Sequence, residues 1–292
     1  VGLVLALFGL CTMPSRILGG VLTTRLGARS TIVVGLMGCA AAQLIIAFGS
    51  NIPAVIAGVL TLGLAYEIIE PATQALVVEI VPGAKQASTF ALLWSSIAVA
   101  GVVSGVLVAL LAPWGVSALF VADALSSLLA AAVAARLLPS TTSAVASPPW
   151  RSALTRRLIV WTGIGTLYAV LVMLIVFMLP LAVEVAGWSP VVTGWLLAVA
   201  AAAAIGAQRL VARWEERLRP ATMLVIGHVV LAAGLALWAT GELGFLVLGA
   251  VLEGASGAFC LGTYQAVAGR MAQPGLAAAV MTVFGLSWGV AA

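Results

Sequence analysis

The feature that most constrains this chain is a succession of apolar stretches, each close to the length of a membrane-crossing helix. They lie near residues 1–22, 31–49, 52–78, 87–111, 115–138, 157–183, 190–211, 220–240 and 243–268, and a tenth begins near 276. A helix needs ~20 apolar residues to cross the hydrocarbon core of a bilayer. Lipid offers the backbone no hydrogen-bond partners, so only helices and closed barrels span it. The ~10-residue alternation of barrel strands is absent, while the short connectors carry the Pro, Gly and charge that end helices. Composition agrees: 63% of residues are hydrophobic and 8% charged, against ~45–50% and ~25% in soluble domains. That balance excludes a soluble globular domain and a disordered chain. Cys11, Cys39 and Cys260 all sit in apolar runs without a Cys-x-x-Cys or Cys/His cluster, so neither a disulfide framework nor a zinc site is indicated. The expected fold is an all-α integral membrane bundle of about nine complete helices and one partial helix.

The few charges are informative by position. The net charge is +4, and twelve of the thirteen basic residues are Arg, the exception being Lys85. Arg25 and Arg29 follow the first stretch, Lys85 the third, Arg136, Arg151, Arg156 and Arg157 flank the fifth connector, Arg209 to Arg219 follow the seventh, and Arg270 the ninth. In an alternating topology all of them fall on one side, and the opposite connectors hold only Glu184 and Glu242. The positive-inside rule makes the basic side cytoplasmic. The basic balance is thus explained by topology, and no nucleic-acid partner is expected. The segment Arg209 to Arg219, with Glu215 and Glu216, reads as a solvated cytoplasmic loop. The Arg- and Ala-rich usage points to a bacterial source.

The longest connector, PSTTSAVASPPWRSALTR at 139–156, divides the chain into a helical half at 1–138 and another at 157–292. The halves show weak internal similarity. Leu22 to Arg29 aligns with Leu210 to Arg217, and Gly58, Gly63 and Gln74-Ala75 align with Gly249, Gly254 and Gln265-Ala266. Parallel repeats with a site at their interface are one plan of secondary transporters.

The run Gly19-Gly20-Val21-Leu22-Thr23-Thr24-Arg25-Leu26-Gly27-Ala28-Arg29 resembles the loop signature of the major facilitator superfamily, approximately G-x-L-a-D-R-x-G-R-R. Helix count, charge sidedness, central linker and repeated halves are also similar to helices two to eleven of a twelve-helix member. The segment Tyr66 to Leu76 resembles the fourth helix of bacterial drug-exporter-like members. The resemblance implies a bundle of two pseudo-symmetric halves and a cytoplasmic gating loop carrying Gly20, Arg25, Gly27 and Arg29. Two positions depart from the signature: its Asp is Thr24 here, and one basic position is Ala28. The family's antiporter signature is also incomplete, since Gly101-Val-Val-Ser-Gly105 lacks its Pro. The chain begins at Val1 and stops within an apolar run, so it is expected to be a fragment lacking the first and last helices.

Chemistry inside the spans falls to few residues. Glu67, Glu70 and Gln74 are spaced i, i+3, i+7 and share one helical face. An intramembrane carboxylate costs ~2.5–3.5 kcal/mol on insertion scales and is by default functional. Two on one face require water or a proton, because burial and a like neighbour both disfavour the charged form. Proton-coupling candidates are therefore Glu67, Glu70, Glu253 and Asp123. The duller readings are a site near the membrane edge for Glu253 and a helix–helix hydrogen bond for Asp123. Arg16 either snorkels to the cytoplasmic interface, pairs with a helix acid or contacts an anionic substrate. Arg16, Gln74, Trp94, Tyr168, Tyr264 and Gln265 are the candidates for a substrate cavity, the aromatic rings as stacking surfaces. His228, the sole histidine, reads as a structural hydrogen-bond partner.

No HExxH, GxSxG or GxxxxGK[ST] pattern is present, so an enzyme or a nucleotide-driven pump is disfavoured. No cofactor and no metal are expected. The leading reading is a multi-pass, monomeric secondary transporter of the cytoplasmic membrane, working by alternating access and exporting drugs or metabolites against protons. The runners-up are proton-coupled uptake of a sugar or organic acid, and a truncated remnant without function.

Overall fold

The structure is a computed structural model that describes residues 2–140, 150–215 and 217–291. Ten α-helices occur among them: α1 Gly2–Leu26, α2 Ala28–Phe48, α3 Ile52–Ile80, α4 Gln86–Leu111, α5 Val116–Leu137, α6 Arg156–Val185, α7 Pro190–Trp214, α8 Pro220–Trp238, α9 Leu243–Gly269 and α10 Ala277–Ala291. Each coincides with an apolar stretch, and no strand is found among the described residues. Seven helices have both the length and the hydropathy to cross a membrane, counted among the described residues. Most of the central linker, 141–149, lies outside the described residues.

Helix ends follow local chemistry. Gly27 separates α1 from α2 at φ 80°, a left-handed conformation that a Cβ would strain. Its carbonyl accepts the Thr31 amide at 3.2 Å, the first backbone bond of α2, and Thr31 Oγ at 2.9 Å. Pro14 and Pro71 lie inside α1 and α3, yet both helices run through. Neighbouring helices and adjusted backbone geometry accommodate such prolines in membranes.

The chain forms two compact units, each discontinuous in sequence. One comprises Val1–Glu79, Ser104–Leu167 and Met271–Ala292; the other comprises Ile80–Val103 and Tyr168–Arg270. Helix association in lipid gains little from the hydrophobic effect and depends on close packing of small residues. In the first unit Gly19 lets α1 reach the backbone of α3, since a Cβ there would lie 2.7 Å from the Ile68 carbonyl oxygen. Gly20 meets Thr282 of α10 in the same way. Ala28, Ile32, Ala72, Leu76 and Ala134 form a buried cluster joining α2, α3 and α5.

In the second unit α9 is the central helix. Gly249 packs against Trp238 of α8, Gly254 against Ala200 of α7, and Gly262 against Ala87 of α4. A Cβ at Gly262 would stand 2.1 Å from the Ala87 carbonyl oxygen. Ala207, Val211, Met223, Ala258 and Phe259 fill the space among α7, α8 and α9.

Candidate functional site

The first unit holds a buried charge cluster. Glu67 and Glu70 lie one turn apart on α3, and Arg16 comes from α1, carried there by the close approach at Gly19. Arg16 Nε lies 2.6 Å from Glu67 Oε2, and Arg16 Nη2 donates to Glu70 Oε2. The Nε–Glu67 approach is an ion pair without the alignment of a hydrogen bond. Gln74 Nε2 donates to the other Glu70 oxygen at 2.7 Å. Three of the four members are deeply buried, Arg16 at 5%, Glu67 at 9% and Gln74 at 3% exposure. The Glu70 side chain retains 29%. Arg16 therefore does not snorkel: the short path to the interface is given up for two carboxylates.

The charge balance of this cluster is uneven. One guanidinium faces two carboxylates, so with both ionised it carries an excess negative charge in a low-dielectric surrounding. Arg16 Nη1 and Gln74 Oε1 have no hydrogen-bond partner among the described residues. Nη1 is covered by Gly285 of α10, where a Cβ would come within 2.7 Å. Such a group is costly to leave unbalanced, and a bound proton or another cation removes the excess.

Asp123 is placed differently. It accepts a hydrogen bond from Gln43 Nε2 of α2, and Ser126 of its own helix donates to its carbonyl at 2.8 Å. Ser127 Oγ lies 3.4 Å from Gln43 Oε1. This is a polar seam between α2 and α5, separate from the Arg16 cluster.

In the second unit Tyr168 and Tyr264 stack with ring centroids 5.0 Å apart. His228 meets Tyr168 edge-on at 5.5 Å and Tyr264 at 6.0 Å. Its Nδ1 lies 2.7 Å from the Leu224 carbonyl oxygen, a contact in which Nδ1–H donates to that carbonyl. The histidine was expected to be structural; it is part of an aromatic cluster with two predicted cavity residues. Trp94 Nε1 donates to Gln265 Oε1 at 3.0 Å, joining the other two. Glu253 is half-buried on α9, and its carboxylate has no partner among the described residues.

Of the signature loop, Gly27 makes the turn and Gly20 the helix contact, while Arg25 is exposed and Arg29 half-buried. Thr24, standing at the signature Asp, bonds its own helix at the Gly20 carbonyl, 2.9 Å away. The carboxylate that reaches another helix is elsewhere. Glu215, expected in a solvated loop, accepts the amides of Ala87 at 2.6 Å and Ser88 at 2.8 Å, capping α4. Arg270 donates to the Gly83 carbonyl at 2.8 Å beside it. The only sequence signal was the place of Glu215 within the repeat of the signature loop; Glu216 lies outside the described residues. Among the described residues no group of three or more His, Cys, Asp or Glu could hold a metal.

Comparison with known proteins decides the family. A sequence model of the Major Facilitator Superfamily matches residues 1–292. The chain belongs to the major facilitator superfamily. Among curated members of this superfamily, Multidrug resistance protein MdtH of Cronobacter sakazakii is 28% identical over 242 residues, 80% of this chain and 60% of that protein. Its counterpart from Yersinia enterocolitica is 25% identical over 241 residues, with the same two shares, 80% and 60%. The chain thus spans 60% of the length of the curated relatives it matches. The human organic anion transporter MFSD10 (TETRAN) superposes with a TM-score of 0.81 at 18% identity, over 99% of this chain and 75% of that one. The proton:xylose symporter XylE superposes with a TM-score of 0.76 at 12% identity, over 99% and 76%. These structures share the superfamily fold, so the multi-pass helical bundle read from the apolar stretches stands.

Proposed function

We propose that this protein is a secondary active transporter that exports a small molecule, a drug or a metabolite, in exchange for protons. The observation that carries this reading is the Arg16–Glu67–Glu70 cluster, two carboxylates against one guanidinium inside apolar helices. A proton on either carboxyl oxygen removes the excess charge; its departure restores it. The cluster therefore has two charge states, and a helix pair packed as closely as α1 and α3 favours different arrangements for each. Alternating access follows when proton and substrate bias that choice in opposite senses. Similarity to the two multidrug resistance proteins supports export. The reading includes location in a bacterial cytoplasmic membrane, a monomer, no cofactor and no covalent chemistry on the substrate. In it Asp123 holds α2 to α5.

Everted membrane vesicles test the reading. A panel of fluorescent compounds, ethidium among them, is followed while a pH gradient is imposed. The expected result is accumulation that depends on the gradient and collapses with a protonophore. Flux of every compound unaltered by the gradient refutes proton coupling. Full coupling in the variant Glu67→Gln/Glu70→Gln refutes the assignment to this cluster.

A further inference from the structure

We propose that Glu215 is a releasable latch of the cytoplasmic side: its carboxylate, seated on the first amides of α4, holds that end of α4 against α7 and α9 and lets go when the protein opens to the cytoplasm. The proposal rests on the alternating-access reading. Its first ground is where the acid stands. Aligning Leu22 to Arg29 with Leu210 to Arg217 sets Thr24 and Ala212 at the signature Asp, so both copies of the loop lack that acid. Glu215 falls opposite Gly27 instead, where the signature carries a glycine. Gly27 breaks its helix at φ 80°. The Glu215 amide bonds the Val211 carbonyl at 2.8 Å and prolongs the last turn of α7. A carboxylate there meets the negative end of its own helix dipole, which disfavours it. Arg209, Arg213, Arg217 and Arg219 surround it in sequence, yet none forms an ion pair with it among the described residues. The half-buried acid is satisfied on α4, by the Ala87 amide at 2.6 Å and the Ser88 amide at 2.8 Å. Its place on α7 is unfavourable, and the positive end of α4 is what stabilises it.

The rest of this contact is polar as well. Gln208, two turns before Glu215 on α7, donates to the Ala91 carbonyl and to Ser95 Oγ, the next turns of the same α4 face. At the end of α9, Arg270 donates to the Gly83 carbonyl at 2.8 Å. A cavity of about 10 Å³ lies beside the carboxylate, lined by Ala87, Thr263, Ala266 and Arg270, and is the size of one water. The Thr263 hydroxyl is buried there without a partner among the described residues. The α7–α8–α9 side of the unit is held differently, by Val211, Met223, Ala258 and Phe259, which are apolar. In sequence α4 belongs to the half at 1–138, and α7 and α9 to the half at 157–292. Yet Ile80–Val103 gathers with Tyr168–Arg270 in one compact unit. Parting the two halves on the cytoplasmic side breaks this contact, and polar bonds near the helix ends exchange for bonds to water at a small net cost.

The test reads opening directly. In protein with Cys11, Cys39 and Cys260 replaced by Ala, a single thiol is introduced by Ala266→Cys, at a residue 1% exposed that lines the cavity. A control carries Val211→Cys instead, at a residue 0% exposed among α7, α8 and α9. A membrane-impermeant maleimide is added to everted vesicles, whose cytoplasmic face is outward, and the labelling rate is followed. Adding Glu215→Ala should raise the rate at position 266 about three- to thirtyfold, the population shift that loss of a helix cap gives, and leave position 211 unchanged. Glu215→Gln keeps an acceptor oxygen and should fall between Glu215→Ala and the parent protein. An unchanged rate at position 266 in Glu215→Ala overturns the proposal. So does an equal rise at position 211, which marks general loosening of the second unit instead of release of one contact. Labelling requires no proton gradient. Loss of coupling in the flux assay, with this labelling pattern intact, therefore refutes the coupling reading and leaves the latch standing.

Discussion

Replacing Arg16 with Met keeps an unbranched apolar stem and deletes the guanidinium with its charge. In the structure that charge serves two acceptors, Glu67 at 2.6 Å and Glu70 through Nη2. Without it, the buried Glu67 and half-buried Glu70, one turn apart, keep only the Gln74 amide, which reaches Glu70 at 2.7 Å. Removing one partner of a buried ion pair costs about 3–5 kcal/mol, because the remaining charge is left uncompensated. At about 2–4 °C per kcal/mol, that is a fall in Tm of roughly 10 °C. Glu67→Gln is expected to behave otherwise. It leaves Arg16 against Glu70, one charge against one, and should change stability by about 1 kcal/mol or less. The triple variant Arg16→Met/Glu67→Gln/Glu70→Gln removes every charge and should recover most of the loss. Thermal unfolding in detergent, followed by tryptophan fluorescence and checked by size exclusion, measures all three. The reasoning is refuted if Arg16→Met melts with the wild type, or if Glu67→Gln is as damaging as Arg16→Met.

Three further outcomes follow from local geometry. Gly262→Ala places a Cβ 2.1 Å from the Ala87 carbonyl oxygen, so α9 and α4 must part at a cost of about 1–3 kcal/mol, seen as a lower Tm. Glu215→Ala removes the carboxylate from the Ala87 and Ser88 amides; a cap of this kind contributes about 0.5–2 kcal/mol, and hydrogen exchange at the start of α4 should quicken. Asp123→Asn keeps an oxygen for Gln43 Nε2 and should melt within about 0.5 kcal/mol of the wild type. Asp123→Leu breaks the seam and should cost about 0.6–2 kcal/mol, measured in the same assay.

The helices were legible because lipid leaves the backbone one solution, and each apolar stretch became one. The α3 stripe was legible for the same reason: within one helix, the spacing of Glu67, Glu70 and Gln74 dictates a shared face. The partner of that stripe was not legible. Whether Arg16 reaches the interface or an acid depends on which helix packs against α1, and Gly19 decides it by admitting the Ile68 backbone. Glu215 shows the same limit from the other side. In a basic, charged segment it has the composition of a solvated loop; its role appears only when the start of α4, more than a hundred residues earlier, is brought beside it. His228 was set aside because a lone histidine has no pattern, and its significance arises from two tyrosines on other helices. The glycines of α9 carry no individual signature in the sequence, though Gly249, Gly254 and Gly262 set helix contacts.

The central claim is that a carboxyl of α3 binds and releases a proton. Infrared difference spectroscopy of the protein in lipid, recorded across a pH titration, reads it through the carbonyl stretch of the protonated acid. The account predicts a titrating carbonyl band in the wild type that is lost in Glu67→Gln/Glu70→Gln. A wild-type spectrum with no such band, or one that the double variant leaves unchanged, would contradict it.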